Sequence, residues 1–154
     1  MPKPMGIPYR SIVSPPELVE GLKPLGQEIT CAKGRTLFRE GEPAQGLYIV
    51  LDGHASLTMI TEKGDAVVVR SSGPGSLIGL PGTFLSGIYG LTATIDRDGR
   101  FIFVKRQKVL EFLHQRTDMC MLVLKVLGTE ISQMPNEPAQ IKRRMSKRSQ
   151  AGRA

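Results

Sequence analysis

The sequence predicts a mainly β chain with flanking helices: an antiparallel double-stranded β-roll (jelly roll) followed by C-terminal helices. Three observations carry that expectation. Residues 27–105 hold about eight short apolar runs, several of them β-branched, separated by turn signals. No long helical pattern lies between those runs, which argues against alternating β and α units. Gly (17) and Pro (11) are frequent enough to punctuate many short strands.

The elements follow in order. Residues 1–26 carry Pro2, Pro4, Pro8, Pro15 and Pro16, and read as an extended lead-in with a short helix around 17–25. "EITCA" is a strand, and "TLFREGEPA" is a strand running into a turn at Glu40 and Gly41. "GLYIVLDGHASLTMI" is the strongest strand signal, broken at Asp52-Gly53, a dipeptide suited to a tight turn. "TEKGD" is a second turn, and "AVVVRSS" a β-branched strand. "LTATI" and "RFIFVK" are further strands, separated by a turn at "DRDG".

Helical character begins after residue 105. "RQKVLEFLHQR" gathers Val109, Leu110, Phe112 and Leu113 between polar ends. "TDMCMLVLKVLGTEISQM" is a second helix, with Thr117 or Asp118 as its cap and Pro135 as its stop. Its Cys120, Leu124, Leu127, Ile131 and Met134 are spaced 4, 3, 4 and 3, the spacing of a helix–helix seam. Two readings stand for that seam: packing against the roll, or pairing with a second copy of the chain in a homodimer.

The totals set outer limits. With 154 residues the chain favours one domain. A hydrophobic share of 40% and a charged share of 23% match a soluble protein. The N-terminus lacks the apolar run of a signal peptide, and no window approaches the ~18 apolar residues of a membrane span. Cys31 and Cys120 form no paired motif, so a reducing compartment is expected. Together these predict a cytoplasmic protein with no membrane partner. The net charge of +7 is mostly local: residues 141–154 hold six Lys and Arg and no acid, and removing them leaves +1. Residues 135–154 therefore read as a basic disordered tail, with weak attraction to nucleic acid or an acidic partner as the alternative.

Enzyme chemistry finds little support. A metal-dependent jelly roll needs clustered His and carboxylate ligands, and the chain has only His54 and His114, far apart in sequence. Ser11, Ser14 and Ser76 lack a nucleophile-elbow context. The glycines of "SGPGSLIG" sit in no βαβ unit, so they make no dinucleotide fingerprint. No metal and no certain cofactor are expected, and the chain is read as a non-enzyme.

One stretch needs separate explanation. "GSLIGLPGTFLSGIYGLTATI", residues 75–95, is loop-like in its glycines, core-like in its leucines and isoleucines, and carries no charge. Together with "KGRTLFREGEPAQGLYIVLDGHASL" upstream, it resembles the cyclic-nucleotide-binding domain family, shared by catabolite-activator/Fnr-type regulators, cyclic-nucleotide-dependent kinases and gated channels. The resemblance rests on Gly41, Glu42 and Ala44 of a Gly-Glu-x-Ala turn, on Tyr48, Ile49 and Val50, and on Gly53. It covers residues 27–134, and it places residues 75–95 where the family wraps a cyclic phosphate.

The resemblance implies a ligand-binding cassette of Gly79, Leu80, Pro81, Gly82, Thr83, Leu91, Thr92 and Ala93. In the family, backbone N–H groups and an Arg hold the phosphate, and a Glu accepts from the ribose hydroxyl. Here Gly79, Thr92 and Ala93 match, Leu80 replaces the Glu, and Leu91 replaces the Arg. The implied function is a regulatory or sensor domain without a DNA-binding domain, which does not hold cyclic AMP or cyclic GMP in the usual manner but takes a cyclic nucleotide or other small effector. No recognition helix can be built from residues 135–154. The alternative is a ligand-free structural or dimerisation module, with Leu77, Ile78, Leu80, Phe84, Leu85 and Ile88 filling the old pocket or lining an apolar one.

Overall fold

A computed structural model describes residues 9–10 and 14–132, and side chains over 14–130. The tail at 135–154, with Met134, lies outside the described residues, and of Ile131 only the backbone is described. Strand β1 is Tyr9–Arg10, followed by helix α1 (Pro16–Leu22), β2 (Gln27–Cys31), β3 (Thr36–Phe38) and β4 (Gly46–Ile60). Then come β5 (Ala66–Ser72), β6 (Leu77–Ile78), β7 (Thr92–Lys105), α2 (Arg106–Gln115) and α3 (Thr117–Ser132). Helix α1 starts with Pro16, whose missing amide costs nothing in a first turn. It tightens into a 3-10 turn over Lys23–Leu25, where Pro24 has no amide to donate.

The seven strands form a sheet of order β1-β5-β4-β7-β2, with β3 on β7 and β6 on β4. Strands β4 and β7 run antiparallel from Gly46 opposite Lys105 to Thr58 opposite Thr92. All pairings of these strands are antiparallel except β1 with β5. This is the predicted β-roll with C-terminal helices.

Two predicted turns are absent. Asp52-Gly53 and the "DRDG" segment both lie inside continuous strands. The register shifts between Val50 and Asp52, between Asp52 and His54, and between His54 and Ala55, so bulges bend the ribbon where turns were expected. A Cβ on Gly99 would run into the Asp52 carbonyl oxygen, so the two strands cross there in backbone contact. Local turn chemistry lost to a long partner strand, which satisfies the backbone on both sides of each bulge.

The pleat of β4 and β7 feeds two cores. Leu47, Ile49, Leu77, Ile102 and Val104 face the helices and pack with Leu18, Leu22, Val109, Leu113 and Val123. Val50, Ala55, Leu57, Ile78, Ala93, Ile95 and Phe101 face the inside of the roll. Burial on both faces is why "GLYIV" and "FIFV" read as unbroken apolar runs rather than as alternation.

Helix α3 turns Met119, Val123, Val126 and Leu127 into the helix-side core. Leu127 of the predicted seam is thus committed within its own chain at 6% exposure, and Cys120 is half-buried. Among the described residues of this helix, Met121 and Leu124 are the large exposed apolar side chains, at 53% and 48%. Among the described residues, no helix is long and apolar enough to cross a membrane.

Candidate functional site

The Gly-Glu-x-Ala turn and the cassette are one structure. The Gly41 amide donates to the Tyr89 carbonyl, the Tyr89 amide to the Glu42 carbonyl, and the Ala44 amide to the Gly87 carbonyl, at 2.8, 3.0 and 2.8 Å. The Glu42 carboxylate accepts from the Arg39 amide at 2.6 Å and closes the turn on itself. The Glu40 amide donates to the Thr92 hydroxyl at 3.0 Å. Two segments far apart in sequence therefore meet as a hydrogen-bonded clasp around 87–92.

Under that clasp lies an aromatic stack. Phe38 and Tyr89 lie ring on ring, with centroids 3.7 Å apart and planes at 10°. Tyr89 is buried, and its hydroxyl donates to the Gly46 carbonyl at 2.5 Å while accepting from the Gly46 amide at 3.2 Å. Burial pushes the Tyr89 phenol above its usual range. Gly79 covers the stack with φ at +86°, and a Cβ there would stand 3.1 Å from Tyr89 and 3.3 Å from Phe38. The sequence marks Tyr89 only by its position between the glycines of the cassette.

The expected cassette residues separate in space. Leu80 is 1% exposed and packs in the helix-side core. Leu91 is half-buried against the roll-side core, where Ala93 is fully buried. Gly82 begins a five-residue π-helical turn, Gly82–Ser86, after an exposed Pro81. Thr83 is fully buried, and its hydroxyl has no hydrogen-bond partner among the described residues.

Fewer backbone donors face a ligand than the sequence suggested. Pro81 has no amide to give, and the Thr83 amide is taken by the Gly79 carbonyl at 3.1 Å. The Thr83 carbonyl accepts from Arg106 Nε at 2.9 Å, tying the cassette to the start of α2. Leu85 and Ile88 do not fill a pocket: they are exposed at 62% and 51%, whereas Leu77 and Ile78 are buried in the two cores. The turn that carries Leu85 ends on the clasp, where Ile88 bridges Pro43. A cleft of about 650 Å³ opens beside it, lined by Gln45, Phe103, Lys105, Arg106, Leu110 and Glu111 among others.

Two groups of charged side chains elsewhere in the roll bear on function. On the outward face, His54 Nδ1 lies 2.8 Å from Asp96 Oδ2, His54 Nε2 meets the Ser71 hydroxyl, and Ser56 also donates to Asp96. The order Ser–His–Asp is that of a hydrolase triad, and sequence distance hid it. Strand β5 is paired on both sides around Ser71, by β4 and β1, so the neighbouring amides serve the sheet and not an oxyanion. The arrangement is a tie across three strands. Among the described residues, no group of three or more His, Cys, Asp and Glu side chains gathers to hold a metal. The second group is Arg70 of β5 with Glu130 of α3, both largely buried.

Comparison with known proteins adds three findings. The sequence model of the family described as the cyclic nucleotide-binding domain matches residues 28–116. The CRP-like cAMP-activated global transcriptional regulator of Mycobacterium tuberculosis is 24% identical over 126 residues, covering 82% of this chain and 56% of that protein. The chain thus spans little more than half the length of that relative. Among solved structures, the N-terminal domain of a transcriptional regulator from Streptomyces coelicolor A3(2) is similar, at 25% identity and a TM-score of 0.61, over 77% of this chain and 83% of that one. The sensor domain of the transcriptional regulator DNR from Pseudomonas aeruginosa shares the fold, at 21% identity and a TM-score of 0.63, over 77% of this chain and 80% of that one.

Proposed function

The chain belongs to the cyclic nucleotide-binding domain family, and from that membership we propose that it is a sensor domain whose effector differs in its contacts from an ordinary cyclic nucleotide. Occupancy of the roll moves α3, and the change is passed to a partner. The domain performs no chemistry and does not itself read DNA bases.

The placement of Leu80 supports this reading above all. The family's Glu position is here a leucine at 1% exposure, locked in the core that faces the helices. Leu91 likewise supplies no charge. Each charge-assisted hydrogen bond is worth about 1.5–3 kcal/mol, and each ~1.4 kcal/mol is tenfold in affinity. Losing two weakens cyclic AMP or cyclic GMP by roughly a hundredfold or more.

The test is a thermal shift and calorimetric panel of cyclic AMP, cyclic GMP and cyclic dinucleotides. Stabilisation by at least one member, with cyclic AMP no tighter than the micromolar range, is the expected result. Submicromolar cyclic AMP would overturn the altered contacts, and silence across the panel would overturn nucleotide sensing. A dimerisation module is the second reading. It is favoured by Met121 and Leu124, exposed on the outer side of α3, and is checked by the mass in solution.

A further inference from the structure

Strand β5 contains one charged residue between its apolar and polar ends, Arg70 in "AVVVRSS". Its register decides where that charge goes. Arg70 is paired with Leu57 of β4, and Leu57 with Ala93 of β7. Residues directly opposite in antiparallel strands share a face of the sheet. Leu57 and Ala93 both belong to the core inside the roll. The row Ala93–Leu57–Arg70 therefore crosses three strands on the inner face, and it starts at a residue of the cassette. Register thus places Arg70 on the inner face, two strands from Ala93 and roughly 10 Å along the ladder.

Its surroundings are those of a charge waiting for an anion. Arg70 is 6% exposed. One terminal nitrogen, Nη2, donates to the backbone carbonyl of Glu130 at 3.3 Å. The other, Nη1, stands 3.9 Å from Glu130 Oε1 and has no hydrogen-bond partner among the described residues. A guanidinium in such a place ordinarily makes a close, bidentate contact. Burial pushes the Glu130 carboxyl above its usual range, and the field of Arg70 only opposes that rise. The pair is long and poorly matched for its burial.

We propose that Arg70 is the anion receptor of this domain, supplying from β5 the cation that Leu91 does not supply from the cassette, and that Glu130 occupies it as an internal stand-in for a small phosphate-bearing effector. Arrival of the phosphate displaces Glu130, pairs with both terminal nitrogens of Arg70, and frees the last turns of α3 from the roll. The effector and α3 thereby compete for one guanidinium. This rests on the sensor reading above and gives it a ligand class and a switch.

Calorimetry with cyclic AMP, inorganic phosphate and uncharged adenosine, on the wild type, Glu130→Gln and Arg70→Gln, tests it. Glu130→Gln removes the competing charge, so cyclic AMP or phosphate should bind at least tenfold tighter than to the wild type. Arg70→Gln should lose that binding, and adenosine should respond to neither substitution. Amide hydrogen exchange in residues 124–132 should rise in Glu130→Gln without ligand. Should Arg70→Gln fail to fold, Glu130→Gln decides alone. Equal affinity in wild type and Glu130→Gln, or no binding of either anion to Glu130→Gln, overturns the proposal. Phosphate that binds through Arg70 while cyclic AMP does not would retain the receptor and remove the nucleotide reading. Cyclic AMP that binds equally well to all three proteins would do the reverse.

Discussion

The Tyr89 hydroxyl pairs with both backbone groups of Gly46, accepting from its amide and donating to its carbonyl. Removing it leaves both groups buried at the first residue of β4, while the ring stack on Phe38 survives. Tyr89→Phe should therefore destabilise the fold by about 1–3 kcal/mol, the cost of unpaired buried polar groups rather than of lost packing. Urea denaturation measures it, and a change below a few tenths of a kcal/mol would show that water replaces the hydroxyl. Gly79 works at the same scale. At φ +86° it holds a conformation that costs other residues about 1–2 kcal/mol, and it does so against the faces of that stack.

The cassette behaves as an element, and its role depends on which way each residue turns. Leu80 sits where the resemblance expects a carboxylate, so Leu80→Glu is the natural attempt to restore cyclic AMP binding. The structure predicts the opposite. The side chain at 80 lies in the helix-side core with Leu18, Leu47 and Ile49, and with the buried valines and leucines of α2 and α3. A carboxylate there loses its water and gains no partner. Leu80→Glu should lower stability by at least ~2 kcal/mol, comparable to deleting a buried leucine, and should not raise cyclic AMP affinity. Thermal melts with and without cyclic AMP check both halves, and a stable, tighter-binding variant would refute the placement. Helix α3 shows a related dependence on rotation. Its apolar spacing was legible as a seam, but a seam does not say which partner it faces. The core took Leu127 and left Leu124 and Met121 outside.

For the whole molecule, the exposed side of α3 predicts self-association. Met121 and Leu124 are one helical turn apart, and Gly128 follows with open space over its Cα. A second copy can lay the same face against them in a two-fold arrangement. Leu124→Asp should shift a dimer to monomer in sedimentation equilibrium, with little loss of fold stability because the residue is half exposed. A wild type that is monomeric at high concentration would set the dimer reading aside.

Patterning along the chain was enough to reach the β-roll and its family, and residue identity alone placed uncharged leucines at positions 80 and 91. Neither needs any knowledge of spatial neighbours. The chain could not reveal that Asp52-Gly53 is a bulge, because that depends on β7 lying alongside. Nor could it bring Ser71, His54 and Asp96 together, or put Arg70 inside the roll in register with Ala93 and beside Glu130. Strand register and helix rotation set those contacts, and both are fixed only when the two cores close around β4 and β7. That the cassette stretch carries no charge could be seen in the chain; that a buried arginine lies in one row of the sheet with Ala93 follows from the pairing of strands.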